Sequence, residues 1–463
     1  MQKRSEELGL KPIPQLLLQQ AVPASIGILI MAIYGIVDTI FVGRWVGPMG
    51  IAAVTVVYPI TFLISSIGMA IGVGGGSVIS RAMGAGDTEK ANHAFGNQAG
   101  LTLGLSILIS IIGYVFMEPV LSTFGAKNGI TAPAIEYFSI LLPSIPFLAW
   151  AMMSNNVIRS EGKPRMAMIT LVIPAIANII LDPILIAGFG MGIKGAAYAT
   201  AASYFASAMY TLWYFGSGRS ELSLKLENMR PDPKLVQEIF GIGFVTLARQ
   251  GAISLLAIVL NNSLVHYGTA NSVAVFGLIR SVLMFANFPV LGLMQGFLPI
   301  TGYNYGAGKT ARVQKVIWLA IRSGTAIAFG IFALIMIFAE PILSIFTTDA
   351  SLLDESVPAL RKVFLATPLL SIQLLGSAYF QAIGKAIPAL LLALTKQGFC
   401  LIPLLLILPR LFEATGWFPA IEGVWWAFPI ADVLTATLSF GFLQKEMGRL
   451  RQMQPAESIP EAV

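Results

Sequence analysis

At 463 residues, 56% hydrophobic and only 11% charged, the chain has a mean hydropathy of +0.78. Soluble domains carry about 25% charged residues, so this composition cannot clothe a water-facing surface. The net charge of +6 invites a nucleic-acid reading, but the basic residues sit in short clusters between apolar runs and describe membrane topology instead.

The chain begins with a polar stretch, Met1 to Lys11, that lacks the apolar core and cleavage site of a secretory signal. The first apolar run is therefore expected to act as an uncleaved insertion signal. A bilayer core of about 30 Å takes about 20 apolar residues per helix. Twelve spans of that kind follow, near residues 14–42, 50–80, 94–117, 133–156, 166–188, 193–215, 237–264, 272–302, 313–337, 359–381, 386–409 and 421–443. The fold expected is an all-α integral membrane protein: twelve transmembrane helices in two six-helix lobes. Residues 1–215 form the first lobe, 216–236 a cytoplasmic linker, 237–443 the second lobe and 444–463 a cytoplasmic tail, disordered from Gln452 onward.

The two lobes are an internal duplication. Gly84-Ala85-Gly86 returns as Gly306-Ala307-Gly308, Glu118-Pro119 as Glu340-Pro341 and Gly162-Lys163 as Gly384-Lys385, each 222 residues on. Each half holds an even number of spans, so both enter the bilayer from one side. That makes a parallel repeat about a pseudo-two-fold axis along the membrane normal, with the substrate path expected where the halves meet. Of the 29 Lys and Arg, nineteen fall on the side of the termini, six on the other, and Arg249, Arg280, Arg322 and Lys396 lie within spans. Cytoplasmic loops carry such an excess, so both termini are expected in the cytoplasm.

Two acids stand inside spans of the first half. Asp38 and Asp182 each cost about 2.5–3.5 kcal/mol at membrane depth on insertion scales, and such residues usually mark ion paths. Tyr34 precedes Asp38 by four residues and Asn178 precedes Asp182 by four, so each polar partner shares its acid's helix face. Thr200, early in the sixth span, reaches about the same depth. Two carboxylates, an amide oxygen and a hydroxyl suit a proton or a hard cation such as Na+. The alternative is that Asp182 satisfies backbone freed by Pro183 and that Asp38 snorkels to the outer interface. The second half has Leu260 and Leu408 where the acids should repeat, which favours function over architecture. Pro23, midway along the first span, invites a bend, either a hinge linked to Asp38 or a static kink.

The second half offers Arg249, Gln250, Arg280, Met284, Gln295 and Gln373 as possible cavity residues. Met152, Met153, Met294, Phe285 and Phe288 could add an adaptable apolar wall. Tyr303-Asn-Tyr-Gly-Ala-Gly-Lys-Thr310 is a repeat loop, not a P-loop, because tyrosine stands where the first glycine is needed. Cys400 is the only cysteine, so no disulfide framework or CxxC site exists. No hydrolytic triad or metal-hydrolase motif emerges, and an enzyme is not expected.

Val37-Asp38-Thr-Ile-Phe-Val-Gly43, Ser80-Arg-Ala-Met-Gly-Ala-Gly86, Gly162-Lys-Pro164, Leu181-Asp-Pro-Ile-Leu-Ile186, Gly190-Met-Gly-Ile-Lys-Gly-Ala-Ala197 and Gly306-Ala-Gly308 carry a resemblance. Across about residues 12–450 the chain resembles the multidrug and toxic compound extrusion family, in its DinF-like or MepA-like bacterial branch. The resemblance implies two six-helix lobes, alternating access, and export of amphipathic or cationic drugs against inward H+ or Na+. It implies ion linkage at Asp38, Asn178, Asp182 and Thr200, with Tyr34 nearby and Pro23 at the bending point. Another branch uses acids in its seventh and tenth helices, where this chain has Arg249, Gln250, Gln373 and Gln381.

The function expected is thus an ion-coupled exporter of the inner membrane, monomeric, with no cofactor beyond H+ or Na+ and no nucleic-acid partner. The alternatives are a flippase for a lipid-linked precursor, kept open by Arg249 and Arg280, and a non-transporting membrane scaffold or sensor.

Overall fold

A computed structural model describes residues 4–127, 129–269 and 271–452, and among these no β-strand occurs. In chain order the long helical segments of the first half are α1 Ile13–Trp45, α2 Pro48–Gly84, α3 Thr88–Val115, α4 Thr131–Ser160, α5 Pro164–Gly188 and α6 Ile193–Gly216. Those of the second half are α7 Pro233–Tyr267, α8 Ser272–Gly306, α9 Thr310–Ser344, α10 Ala350–Ala382, α11 Ala386–Thr415 and α12 Ala420–Gln452. Eleven of these are long and apolar enough to cross a membrane. The other, α6, has 24 residues, about 36 Å at 1.5 Å per residue. Its serines, threonines and tyrosines, with Lys194, lower its hydropathy. Its buried Thr200, Ser203, Ser207 and Thr211 form a polar stripe facing α4 and α5, where Trp150 donates to Thr211 at 2.9 Å and Ser207 to the Thr170 carbonyl at 2.7 Å. Large apolar side chains such as Leu18, Leu63, Ile111, Ile258 and Ile337 point outward, as a surface bathed in hydrocarbon requires.

The duplication is written into the backbone. Gly86 and Gly308 have φ of 76° and 69°, and Gly162 and Gly384 have 73° and 82°. A left-handed residue just past a helix end favours glycine, which explains why these motifs survive in both halves. The chain turns alike at Phe116 (φ −108°, ψ 29°) and Phe338 (φ −111°, ψ 27°), so the helix break before Glu118-Pro119 recurs as a kink before Glu340-Pro341.

Several helices outrun the spans read from hydropathy. α10 starts at Ala350 rather than 359, through an amphipathic turn that buries Ser356, Ala359, Leu360 and Val363. α12 runs to Gln452, so residues 444–452 are helix rather than tail. Leu450 and Met447 are buried there, and Lys385 pairs with Glu446 at 2.5 Å. A window of mean hydropathy registers apolar content and misses such half-polar turns. The rest of the expected tail, 453–463, lies outside the described residues.

Two compact units emerge, and their boundary is not the linker. One comprises residues 1–10 and 22–247, the other 11–21 and 248–463. α1 and α7 therefore each contribute to both. Within the first unit α2 crosses α7 backbone to backbone at Gly74 and Gly243. In the second, Gly296 of α8 receives the backbone of Gln20 and Ala21, immediately before Pro23.

The segment read as a linker is bonded onto the first unit. Glu161, fully buried just beyond α4, accepts from the Tyr214 hydroxyl (2.5 Å), the Ser220 hydroxyl (2.6 Å) and the Glu221 and Leu222 amides (2.6 and 3.1 Å). Burial pushes the Glu161 carboxyl above the usual range, against the opposing pull of Lys163 and these donors. Glu221 in turn accepts from Ser5. Asn97 of α3 donates to the Asn228 and Arg230 carbonyls, both at 3.1 Å, and accepts from the Asp232 amide at 2.8 Å. Glu161→Ala orphans three donors, the Tyr214 and Ser220 hydroxyls and the Glu221 amide, while the Leu222 amide keeps Ser220 Oγ. Each buried polar group left unpaired costs about 1–3 kcal/mol. The expected result is a net loss of about 3 kcal/mol and faster trypsin cleavage at Arg219 and Lys225; a cleavage rate equal to wild type would show that Glu161 does not anchor this segment.

Candidate functional site

The local sequence after Asn178 dictates the site. Pro183 has no backbone N–H, so it cannot close the α-helical bond one turn back. The chain widens into a π turn over Pro183–Gly188, with the Phe189 amide reaching the Ile184 carbonyl at 2.8 Å. Wide turns of this kind occur frequently at functional sites. Gly190 and Gly192 then adopt φ of 64° and 57° to reverse the chain. Gly195 lets α6 return in contact with the Leu185 carbonyl; a Cβ at Gly195 would lie only 2.8 Å from it. The reversal lays Thr200 beside Asn178.

The side chains meet as follows. Asn178 Nδ2 donates to Asp182 Oδ1 at 3.3 Å and to Thr200 Oγ1 at 3.2 Å. Asp38 arrives from α1 and faces Asp182 directly. Asp38, Asn178, Asp182 and Thr200 are all buried. Asp38 Oδ1, Asp182 Oδ2 and Asn178 Oδ1 are buried acceptors without a hydrogen-bond partner. Since each such oxygen costs about 1–3 kcal/mol, the cluster is built for something that donates or is positive. A proton can be shared between two of these oxygens, a small hard cation can take several as ligands, and a substrate anion relieves none.

The expected residues Asp38, Asp182, Asn178, Thr200 and Tyr34 are thus brought into one neighbourhood. Two further tyrosines, absent from the sequence reading, complete it. Tyr204 bonds with Tyr34 and acts on Asp38, and Tyr137 of α4 bonds with Thr200 and faces both acids. Tyr204 lies one turn after Thr200 on the same helix face, a spacing visible in the sequence, whereas Tyr137 carries no sequence signal because nothing in the sequence sets how α4 packs on α6. Pro23 lies inside α1, next to the point where that helix changes unit.

The second-half residues do not form a comparable cluster. Among the described residues, no hydrogen bond or ion pair joins any two of Arg249, Gln250, Arg280, Met284, Gln295 and Gln373. Arg280 and Met284 are exposed one turn apart on α8, Arg249, Gln250 and Gln295 are half-buried, and Gln373 is buried. Gln295 and Gln373 each hold a buried Oε1 without a partner. Met153 and Met294 are buried, Met153 in the core beside Trp150 and Val157.

The MatE family model matches residues 23–184 and again 248–407. The chain belongs to the MatE family. The two matches begin within one residue of where α1 and α7 change unit, so the repeated family element coincides with the part of each half that lies wholly in its own unit. This MatE protein is 30% identical over 427 residues to the multidrug export protein MepA of Staphylococcus aureus (strain NCTC 8325 / PS 47), covering 92% of each chain. It superposes on a MATE crystal structure in the bent conformation with a TM-score of 0.90 and 26% identity, covering 98% of this chain and 99% of that one. The straight conformation gives the same TM-score and coverage at 25% identity. The MatE chain is a multi-pass membrane protein of a transporter family with a two-lobe helical fold.

Proposed function

We propose that this chain exports amphipathic or cationic organic molecules from the cell by antiport against H+ or Na+, the ion binding at Asp38, Asp182, Asn178 and Thr200. The observation that carries the reading is the set of three buried, unpartnered acceptor oxygens on Asp38, Asn178 and Asp182. The relative named as a multidrug export protein supports the substrate class. The excess of Lys and Arg on the side of the termini supports an inner-membrane protein with both ends in the cytoplasm.

Antiport requires that ion and substrate favour different states, not merely that both bind. α1 is the element suited to report the ion. It carries Asp38, while its first residues belong to the other unit, pinned at Gly296. Pro23 breaks the helix hydrogen bonding between those two attachments, and so is the hinge of this proposal. Neutralising Asp38 changes the pull on α1, and the bend at Pro23 transmits it. Similar proteins have been solved in conformations described as bent and as straight.

The test is efflux of a fluorescent organic cation from proteoliposomes under an imposed H+ gradient and, separately, a Na+ gradient. Flux under one of the two identifies the coupling ion. Absence of flux under both, with protein shown to be inserted and folded, overturns the proposal.

A further inference from the structure

The second unit holds an ion pair at membrane depth that the cation site does not use. Lys396 Nζ of α11 lies 2.6 Å from Asp432 Oδ1 of α12, and the two side chains are 17% and 7% exposed. In the pairs Lys362–Glu422 and Lys385–Glu446, both at 2.5 Å, at least one partner sits near a helix end: Glu422 in the first turn of α12, Lys385 just before α11 and Glu446 close to the end of α12. Lys396 is ten residues into α11 and Asp432 twelve into α12, about 15 and 18 Å from those ends.

Holding a fifth helix to a sixth does not require charge. In the first unit the corresponding junction of α5 with α6 is made by the neutral Asn178–Thr200 bond. A buried ion pair often stabilises no better than packed apolar residues, so this one calls for another use. Three features supply it. Trp425 and Phe428 lie seven and four residues before Asp432, on its helix face, and both are nearly buried, Phe428 with its ring 6.2 Å from that of Phe276. Aromatic faces of this kind attract cations. Lys396 is the second residue of the π turn Thr395–Leu401, and the next residue, Gln397, has a buried Oε1 without a hydrogen-bond partner. Finally, lysine is a flexible point charge on a four-carbon stem, readily displaced compared with a bidentate arginine.

We infer that Asp432, walled by Trp425 and Phe428, is a recognition carboxylate for an organic monocation, and that Lys396 is the internal cation a ligand must displace. The inference rests on the proposed export of organic cations, and it locates one point of recognition in the second unit. The lysine sets a threshold: a ligand gains by binding only when its charge and apolar surface together exceed what the ammonium already provides.

The experiment is ethidium binding to the purified full-length protein, read by fluorescence polarisation. Asp432→Asn should weaken binding about tenfold, and Lys396→Gln should tighten it about tenfold by removing the competitor. The double variant Lys396→Gln with Asp432→Asn should bind as weakly as Asp432→Asn alone. Opposite signs for the two single variants cannot come from a pair that only braces the helices. In that case both would weaken binding alike, and the double variant would recover toward wild type; that outcome overturns the inference. So does binding by Asp432→Asn within twofold of wild type, or no ethidium binding by wild type. Thermal unfolding of each variant separates these results from misfolding, because Lys396→Gln must tighten binding whatever it does to stability. Wild-type protein that binds ethidium in this pattern yet drives no cation flux would sink the antiport proposal and leave Asp432 as a binding site.

Discussion

Asparagine at either Asp38 or Asp182 reduces gradient-driven cation export by at least about tenfold. The expectation follows from what each substitution keeps and what it removes. Asp182→Asn preserves size and can still offer an oxygen to Asn178 Nδ2, which now lies 3.3 Å from Asp182 Oδ1. It removes the negative charge, and a hydrogen bond to a charged group contributes about 1.5–3 kcal/mol. At about 1.4 kcal/mol per tenfold, cation affinity falls by roughly tenfold to a hundredfold. Asp38→Asn acts in the same way on the facing carboxylate, and the two losses should be strongly non-additive because the acids share one cation. The measurement is proteoliposome efflux together with thermal unfolding in detergent. Variants that stay folded and lose flux place the coupling at these acids. If both variants exported at the wild-type rate, the first-half acids would have no part in coupling.

Gly74→Val is the substitution expected to damage the fold most. A Cβ at Gly74 would lie 2.1 Å from the Ile239 carbonyl oxygen and 3.1 Å from the Gly243 amide, and a Cβ at Gly243 would lie 2.6 Å from the Ala70 carbonyl oxygen. Real Cβ atoms do not approach backbone so closely, so α2 and α7 must separate. Overpacking of this kind costs about 3 kcal/mol when the obstacle is backbone that cannot rotate away. Close glycine-mediated contact is also the main adhesive available between membrane helices, since lipid competes equally for apolar side chains. Expected results are a lower unfolding temperature and faster proteolysis near the start of α7. Gly104→Ala is the control: it faces open space and should change neither. An unfolding temperature for Gly74→Val equal to that of the control would show that the crossing is looser than drawn.

Both predictions touch residues that the sequence made visible to different degrees. Asp182 and Asn178 were legible as a pair because a spacing of four is fixed by helix geometry alone. Asp38 was legible as a costly acid, and its meeting with Asp182 followed from matching their depths in two parallel helices. Gly72-Val-Gly-Gly-Gly-Ser77 is a run of small residues that permits close helix packing, and nothing in it indicates that α7 is what packs on Gly74. Asp432 did not stand out, and Lys396 was only one of four basic residues within spans.

The amino-acid sequence by itself determined the number and order of the helices, their duplication at 222 residues and the acids of the first half. These are properties of composition and of period along one chain, where the cost of charge in hydrocarbon makes the first-half acids conspicuous. Only the tertiary structure decided that Tyr137 and Tyr204 enclose Asp38, that Lys396 sits on Asp432, and that α1 and α7 each belong to two units. In a water-soluble helix the polar face announces which side is buried. Here, outside polar stripes such as that of α6, the lipid-facing and core-facing sides are alike apolar, so helix periodicity carries little of that signal, and partners are chosen by glycine contacts and proline turns that act only once the helices have met.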